Sequence, residues 1–453
     1  MKEGKKTELF ERMPIAKAVM SMSLPTVISA LVMVLYNLAD TYFVGMLNDP
    51  IENAAVTLAM PMMLAFHGVT NLFGVGSSTM MSRCLGKKDY AMVRQSSVFG
   101  FYGALVSGLL YSLCYAVFRQ PLLAVLGASP ETVGVTGAYL GWTVGLGAVP
   151  AILNVILAYL VRAEGASLHA SLGTMSGCLL NMLLDPVFIL PWGLDMGAAG
   201  AGLATFLSNC AACGYFFVLL YAKRGRTFVC INPVSFRVNR SILKEVCGVG
   251  IPASVQNLLN VTGMTVLNNF TSPYGADAVA AMGIAYKIYM IPMNIAMGIS
   301  QGIMPLVSYS YAAGNIQRMK QTIFFAMKIA AGFLAAASVG YYIGAEGLIS
   351  LFMKKEAVIA YGSSFLRGMC LGQVFLGIDF LAVGVFQSCG MGRKGLLFAV
   401  LRKVVLEIPA LFILNSIWPL YGLAYAQAVT EVVLALAAVL SLHKICKAAM
   451  GKM

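Results

Sequence analysis

The sequence predicts an all-α integral membrane protein of about twelve transmembrane helices, built as two six-helix lobes that are parallel repeats around a central cavity. Three observations predict it: an apolar composition, alternating basic and bare loops, and an internal duplication. Of 453 residues, 59% are hydrophobic and only 11% are charged, with a mean hydropathy of +0.81. Soluble domains carry about 25% charged residues, so this chain lacks the polar side chains to cover a soluble surface. Its main solvent is therefore lipid. The formal net charge of +13 then reads as a topology signal, and no nucleic-acid partner is expected.

A spanning helix needs about 20 mainly apolar residues at 1.5 Å each. Twelve stretches qualify, with ragged ends: 17–45, 52–81, 93–118, 135–161, 166–190 and 196–222, then 245–270, 278–311, 321–344, 357–386, 395–416 and 421–443. Residues 1–12 are charged and run straight into the first stretch. A signal peptide has a shorter apolar core and a small-residue cleavage site, so the first stretch is expected to be a retained helix.

The basic residues check this count, because short cytoplasmic loops hold most of the Lys and Arg. The N-terminus carries Lys2, Lys5, Lys6, Arg12 and Lys17. The second loop carries Arg83, Lys87, Lys88 and Arg94, and the fourth Arg162. The sixth and longest loop has Lys223, Arg224, Arg226, Arg237, Arg240 and Lys244. Arg318 and Lys320 follow in the eighth loop, Arg393 and Lys394 in the tenth, and Lys444, Lys447 and Lys452 in the tail. The odd-numbered loops hold only Arg119, Lys354 and Lys355. Missing one helix would destroy this alternation, so both termini are expected to be cytoplasmic.

The basic loop around Asn232-Pro233 divides the chain into an N-terminal lobe, 1–225, and a C-terminal lobe, 226–453. The two halves repeat each other. Leu24-Pro25 recurs 227 residues on as Ile251-Pro252. The corner 162–165 recurs 225 residues on as 387–390, and the same offset lays Asn154 on Asp379. Gly200 and Thr205 match Gly422 and Gln427 at an offset of 222. Six helices per half, both starting inside, make the halves parallel repeats related by an axis along the membrane normal.

A charged side chain at mid-membrane depth is costly and marks a functional candidate. Asp40 on the first helix and Asn181 with Asp185 on the fifth form the leading group. Asn181 and Asp185 are four residues apart and share a helix face. Pro186 lacks an N–H and frees the Met182 carbonyl as a further acceptor. Rise per residue places Asp40, Asp185 and Thr205 on the order of 8–14 Å below the outer surface. Carboxylates, an amide and a hydroxyl at one depth suit a hard cation such as Na⁺ bound through oxygen, or a shared proton. The plainer alternative is that these groups only hold helices together, but two acids without a base do that poorly.

The second half carries Lys287, Arg367, Asp379, Glu407 and Glu431. Arg367 and Asp379 are twelve residues apart on one predicted helix, so each needs a partner elsewhere. Arg402 and Lys403 are expected to snorkel to the inner surface, and Lys287 and Glu407 to form an interhelical pair or line the cavity. Asn154, Gln256 and Asp379 are the expected substrate-cavity residues. The 28 methionines suit a surface that adapts to varied apolar shapes, although most must serve ordinary packing. Cys210 and Cys213 have redox spacing but sit mid-helix with no second pair, so all ten cysteines are expected to be small buried residues.

Four stretches in register carry a resemblance. They are Leu24-Pro25 followed by Asp40-Thr41-Tyr42-Phe43-Val44-Gly45, then Arg162-Ala163-Glu164-Gly165, then Asn181-Met182-Leu183-Leu184-Asp185-Pro186, and finally Gly197-Ala198-Ala199-Gly200-Ala201-Gly202 leading to Thr205. Along essentially its whole length the chain resembles the multidrug and toxic compound extrusion (MATE) family. The resemblance implies H⁺- or Na⁺-driven antiport of small, largely apolar organic cations, with no cofactor beyond the coupling ion. It implies a first-lobe cation site at Asp40, Asn181, Asp185 and Thr205, with Tyr36 and Tyr139 lining the same cavity. A bacterial cell membrane and a monomer are the expected setting. Other branches carry an acid where this chain has Gln256, which weakens a second-lobe site there, whereas Asp379 matches an acid such branches use. The usual Leu-Gly after Val-Gly is replaced by Met46-Leu47-Asn48-Asp49, a loop change expected to be neutral.

Two other readings were weighed. A lipid-linked saccharide flippase of the same superfamily would add helices and a more basic cavity. An intramembrane enzyme would need an Asp-rich metal motif, His-Glu-x-x-His or Gly-x-Ser-x-Gly. None occurs, and the three histidines, His67, His169 and His443, are scattered.

Overall fold

The computed structural model describes residues 8–236 and 239–450, all helix and connecting loop among those residues. Lys2, Lys5, Lys6, Arg237 and Lys452, counted in the loop alternation, lie outside the described residues. Twelve helical segments follow one another, as expected. The first six are α1 (Ile15–Met46), α2 (Pro50–Gly86), α3 (Tyr90–Val125), α4 (133–163), α5 (Ser167–Ile189) and α6 (Gly197–Ala222). The second six are α7 (Arg240–Thr271), α8 (Ala276–Ala312), α9 (Ile316–Ser350), α10 (356–388), α11 (392–417) and α12 (Gly422–Met450). Eight are long and apolar enough to cross a bilayer unbroken, and the bent α4 and α10 bring the number to ten. Polar residues inside α7 and α11 lower the hydropathy of the remaining two.

The irregularities have local causes. α3 kinks at Phe118 (φ −108°, ψ 25°), because the ring of Pro121 crowds the carbonyl four residues back. α4 bends by 48° beside Gly147 and α10 by 49° at 371–372. A β-carbon at Gly147 would lie 2.5 Å from the carbonyl oxygens of Trp142 and Thr143, and one at Gly372 would lie 2.8 Å from the Ala428 backbone of α12. Wider π turns interrupt α2 at Asn71–Val75, α4 at Gly141–Leu146 and α11 at Leu401–Glu407. Such turns insert one extra residue into the register and commonly mark functional positions. The replaced loop before α2 has its own chemistry. Asn48 takes φ +50°, Asp49 Oδ1 accepts the Ile51 N–H at 2.8 Å, and Pro50 occupies the first helical turn, where its missing N–H costs nothing.

The chain packs as two compact units, one comprising Ile28–Ser254 and the other Phe10–Val27 together with the residues from Val255 onward. Each division falls two residues beyond a proline inside its helix, Pro25 in α1 and Pro252 in α7. Within the first unit, the start of α7 lies on α2. A β-carbon at Gly250 would overlap the Leu72 carbonyl, Ser254 Oγ donates to Gly68 O at 2.6 Å, and Arg83 pairs with Glu245 at 3.0 Å. Within the second unit, the start of α1 lies on α8 in the matching way. A β-carbon at Gly302 would sit 2.6 Å from Ser23 Cα, and Tyr309 OH donates to Glu11 at 2.7 Å. Small residues allow backbones to approach this closely where lipid supplies no hydrophobic drive.

Gly302→Val should destabilise the solubilised protein by about 1–3 kcal/mol, the usual range for overpacking. Gly332→Ala, at a position with nothing within 4 Å of the new methyl, should leave the melting temperature within error. Thermal melting followed by size-exclusion chromatography checks both.

Candidate functional site

The geometry of the site begins with a stripe on α5. Gly173, Gly177, Asn181 and Asp185 recur every four residues and so line one face. A β-carbon at Gly173 would collide with the Phe216 ring of α6, and one at Gly177 would meet the Ser208 carbonyl at 3.2 Å and Ala212 Cβ at 3.1 Å. From the other side, a β-carbon at Gly200 would overlap the Phe188 carbonyl of α5, and one at Gly202 would meet the Tyr139 carbonyl of α4 at 3.0 Å. The glycines thus draw α5 and α6 together, and the polar half of the stripe meets Thr205.

At that contact the Asn181 amide has one orientation that satisfies its neighbours. Its Nδ2 donates to Asp185 Oδ2 at 2.8 Å, and its Oδ1 accepts from the Thr205 N–H at 3.0 Å. Asp185 is 0% exposed and Asn181 2%. Asp40 of α1 and the Tyr139 phenol of α4 lie within electrostatic range of Asp185. The Tyr36 hydroxyl, one turn before Asp40, lies near the Thr205 side chain. Tyr36, Asp40, Tyr139, Asn181, Asp185 and Thr205 therefore converge from α1, α4, α5 and α6 within one unit. Neither carboxylate has a Lys or Arg partner among the described residues.

The other expected cavity residues make contacts of their own. Asn154 Nδ2 donates to Asn209 Oδ1 at 2.8 Å, tying α4 to α6. Gln256 Oε1 accepts from Gln387 at 3.1 Å in the second unit. Asp379, 2% exposed, lies 3.8 Å from Arg402. No group of three His, Cys, Asp or Glu residues is placed to hold a metal among the described residues. The donor set around Asp185 is instead carboxylate, amide and hydroxyl, which suits a proton or a hard monovalent cation. Cys210 and Cys213 are free thiols, Cys213 buried and Cys210 half-buried, and Cys114 is exposed rather than buried.

The second unit corrects two expectations. Arg402 and Lys403 do not snorkel: they are 3% and 8% exposed. The π turn at Leu401–Glu407 aims both, with Glu407, into the unit. Arg402 Nε meets Glu431 Oε1 of α12 at 2.6 Å, and its guanidinium lies 4.9 Å from the centre of the Phe380 ring. Glu407 pairs with Lys403 at 2.6 Å rather than with Lys287, which is exposed. An extra residue in the turn rotates the inward face, which the sequence period does not show. Arg367 and Asp379 each find a separate partner, as required: Glu346 at 3.0 Å for Arg367 and Arg402 for Asp379.

Sequence reasoning missed Gly173 and Gly177, although their four-residue spacing with Asn181 was visible. It also missed Glu52, whose Oε2 accepts the Ala198 N–H of α6 at 2.6 Å, and Glu164, whose carboxylate accepts the Phe228 N–H at 2.7 Å and the Thr227 hydroxyl. These contacts join distant parts of the chain and leave no local pattern.

A multi-pass helical protein in which buried Asp185 and half-buried Asp40 lack a basic partner among the described residues has the build of a membrane transporter. The MatE family model matches residues 25–187 and again 252–413. Two curated relatives named multidrug export protein MepA, from Staphylococcus aureus (strain NCTC 8325 / PS 47) and from Staphylococcus saprophyticus, are 35% and 33% identical. Those alignments run over 436 and 435 residues and span 96% of this chain and 95% of each relative. A solved structure described as the outward-facing conformation of a multidrug resistance MATE family transporter of the MOP superfamily has a TM-score of 0.93 at 26% identity. It covers 100% of both chains. The chain belongs to the multidrug and toxic compound extrusion (MatE) family and is an efflux transporter, not an enzyme.

Arg402→Leu should destabilise the protein by about 3–5 kcal/mol, because it strands buried Glu431 and Asp379 without a base. Adding Glu431→Gln should recover part of that loss, whereas a snorkelling arginine would be neutral to replace. Melting of the single and double variants checks this.

Proposed function

We propose that this transporter exports small, largely apolar organic cations in exchange for H⁺ or Na⁺, by alternating access between lobes 1–225 and 226–453. The driving ion binds at Asp40, Asn181, Asp185 and Thr205, with Tyr36 and Tyr139 beside it. Asn154, Gln256 and Asp379 lie along the substrate path. It works as a monomer in the cell membrane, with both termini cytoplasmic and no cofactor. The carrying observation is the contrast in buried charge. The buried acids of the second unit, Asp379, Glu407 and Glu431, have bases against them, whereas neither half-buried Asp40 nor buried Asp185 has one among the described residues. A buried carboxylate without a partner recruits a proton or a cation, and this makes the first-unit group the place where a driving ion is needed. The MepA relatives are named as multidrug exporters, which supports the cargo class.

A bound ion neutralises Asp40 and Asp185 and removes their attraction for a cationic drug. Ion and drug therefore compete, and by linkage each weakens the other by the same factor. Asp185→Asn keeps the shape of the site and loses its charge. It should abolish gradient-driven efflux from vesicles while the protein stays folded and inserted; Asp40→Asn should do the same, and Thr205→Ala should cause a smaller loss. Full gradient-driven efflux by Asp185→Asn would overturn the site. Equilibrium drug affinity should fall as either Na⁺ or H⁺ concentration is raised, and affinity indifferent to both would exclude the competition.

The topology has a separate test. Single cysteines in a background without the native ten should react with an outside-only reagent near Asp49, Asp195 and Asp277, and not at Arg226 or Lys447. Outside labelling at Arg226 would reverse the assignment.

A further inference from the structure

We infer that Glu52 is a positioning residue for the driving-ion site, acting through α6. The helix that carries Thr205 starts at Gly197, where the first backbone N–H groups have no partner inside the helix. Glu52 Oε2, reaching across from α2, accepts the Ala198 N–H at 2.6 Å. A carboxylate there satisfies one orphan donor and opposes the positive end of the helix dipole.

Both sides of this contact are built for it. Glu52 stands on a fixed turn, since Asp49 accepts the Ile51 N–H at 2.8 Å and Asn53 Nδ2 donates to the Asp49 carbonyl at 2.9 Å. On the α6 side, the loop after α5 folds back through Leu194 N–H to Val187 O at 2.8 Å and Met196 N–H to Phe188 O at 2.9 Å. Asp195 (φ +51°) and Gly197 (φ +55°) take left-handed backbone there. Gly197 is required twice over: its φ favours glycine, and a β-carbon would sit 2.7 Å from the Glu52 carboxylate. The loop fixes α6 to α5, while Glu52 fixes it to α2.

The site depends on the axial position of this helix. Thr205 lies eight residues below Gly197, about 12 Å along the axis, and its N–H is held by Asn181, which in turn holds Asp185. A helix free to slide or fray at its start loosens Thr205 first. Glu52 touches none of the ion-binding groups, so its loss weakens ion binding without removing a ligand.

This inference rests on the reading of the cluster as the driving-ion site, and two readouts separate them. The first is efflux of tetraphenylphosphonium from proteoliposomes, measured against imposed Na⁺ and pH gradients. Glu52→Ala should raise the half-saturating level of the driving ion about fivefold, the scale of one lost helix cap, with an unchanged maximal rate. Glu52→Gln, whose amide oxygen still accepts the Ala198 N–H, should stay within about twofold. The second readout is geometric: disulfide formation between cysteines placed at Asn181 and Thr205, in a background without native cysteines, should slow when Glu52→Ala is added. If Glu52→Ala does not accumulate as folded protein, Gly197→Ala displaces the same carboxylate and should give both effects. Wild-type half-saturation together with unchanged disulfide formation overturns the inference, as does a Glu52→Gln loss equal to that of Glu52→Ala. Coupling retained in Asp185→Asn overturns the site reading instead, and the disulfide result still decides the role of Glu52.

Discussion

The close approach of α5 and α6 is the constraint on which the rest of the first unit depends. Lipid offers no hydrophobic drive between helices, so backbone approach and buried polar contacts must hold them. Gly173, Gly177 and Gly200 remove the side chains that would keep the helices apart. The same approach forces Asn181 against Thr205 and leaves its amide facing Asp185. Packing and chemistry therefore share one stripe.

The two repeats carry their buried charge differently. In the first unit Asp40 and Asp185 stand among hydroxyls and an amide, and the donor against Asp185 is the neutral Asn181 amide. In the second, the π turn of α11 brings Arg402 and Lys403 inward against Asp379, Glu407 and Glu431. The duplicated halves therefore differ: the second supplies bases to its buried acids, and the group around Asp185 has none among the described residues. Breaking a buried pair leaves an uncompensated charge, so the second network holds its helices in register.

The opening helices show a related economy. Pro25 and Pro252 each stand two residues before the chain passes from one compact unit to the other. A proline removes one helical hydrogen bond, and the turn it loosens is where each helix changes the unit it belongs to.

Much of this protein was legible in its sequence. Hydrophobic length, loop charge and the repeated Leu-Pro and Ile-Pro openings determined the twelve-helix class, because these follow from the bilayer's thickness and from local spacing. Asn181 and Asp185 were readable as one helix face for the same reason. Tertiary structure alone decided the rest. It tied Asn154 to Asn209 and turned Arg402 and Lys403 inward through a π turn that no residue pattern announces. It also set Glu52 on the start of a helix nearly 150 residues away in sequence. Local spacing determines which side chains share a face. Which faces meet is settled only when glycines let particular helices touch and every buried polar group must find its partner.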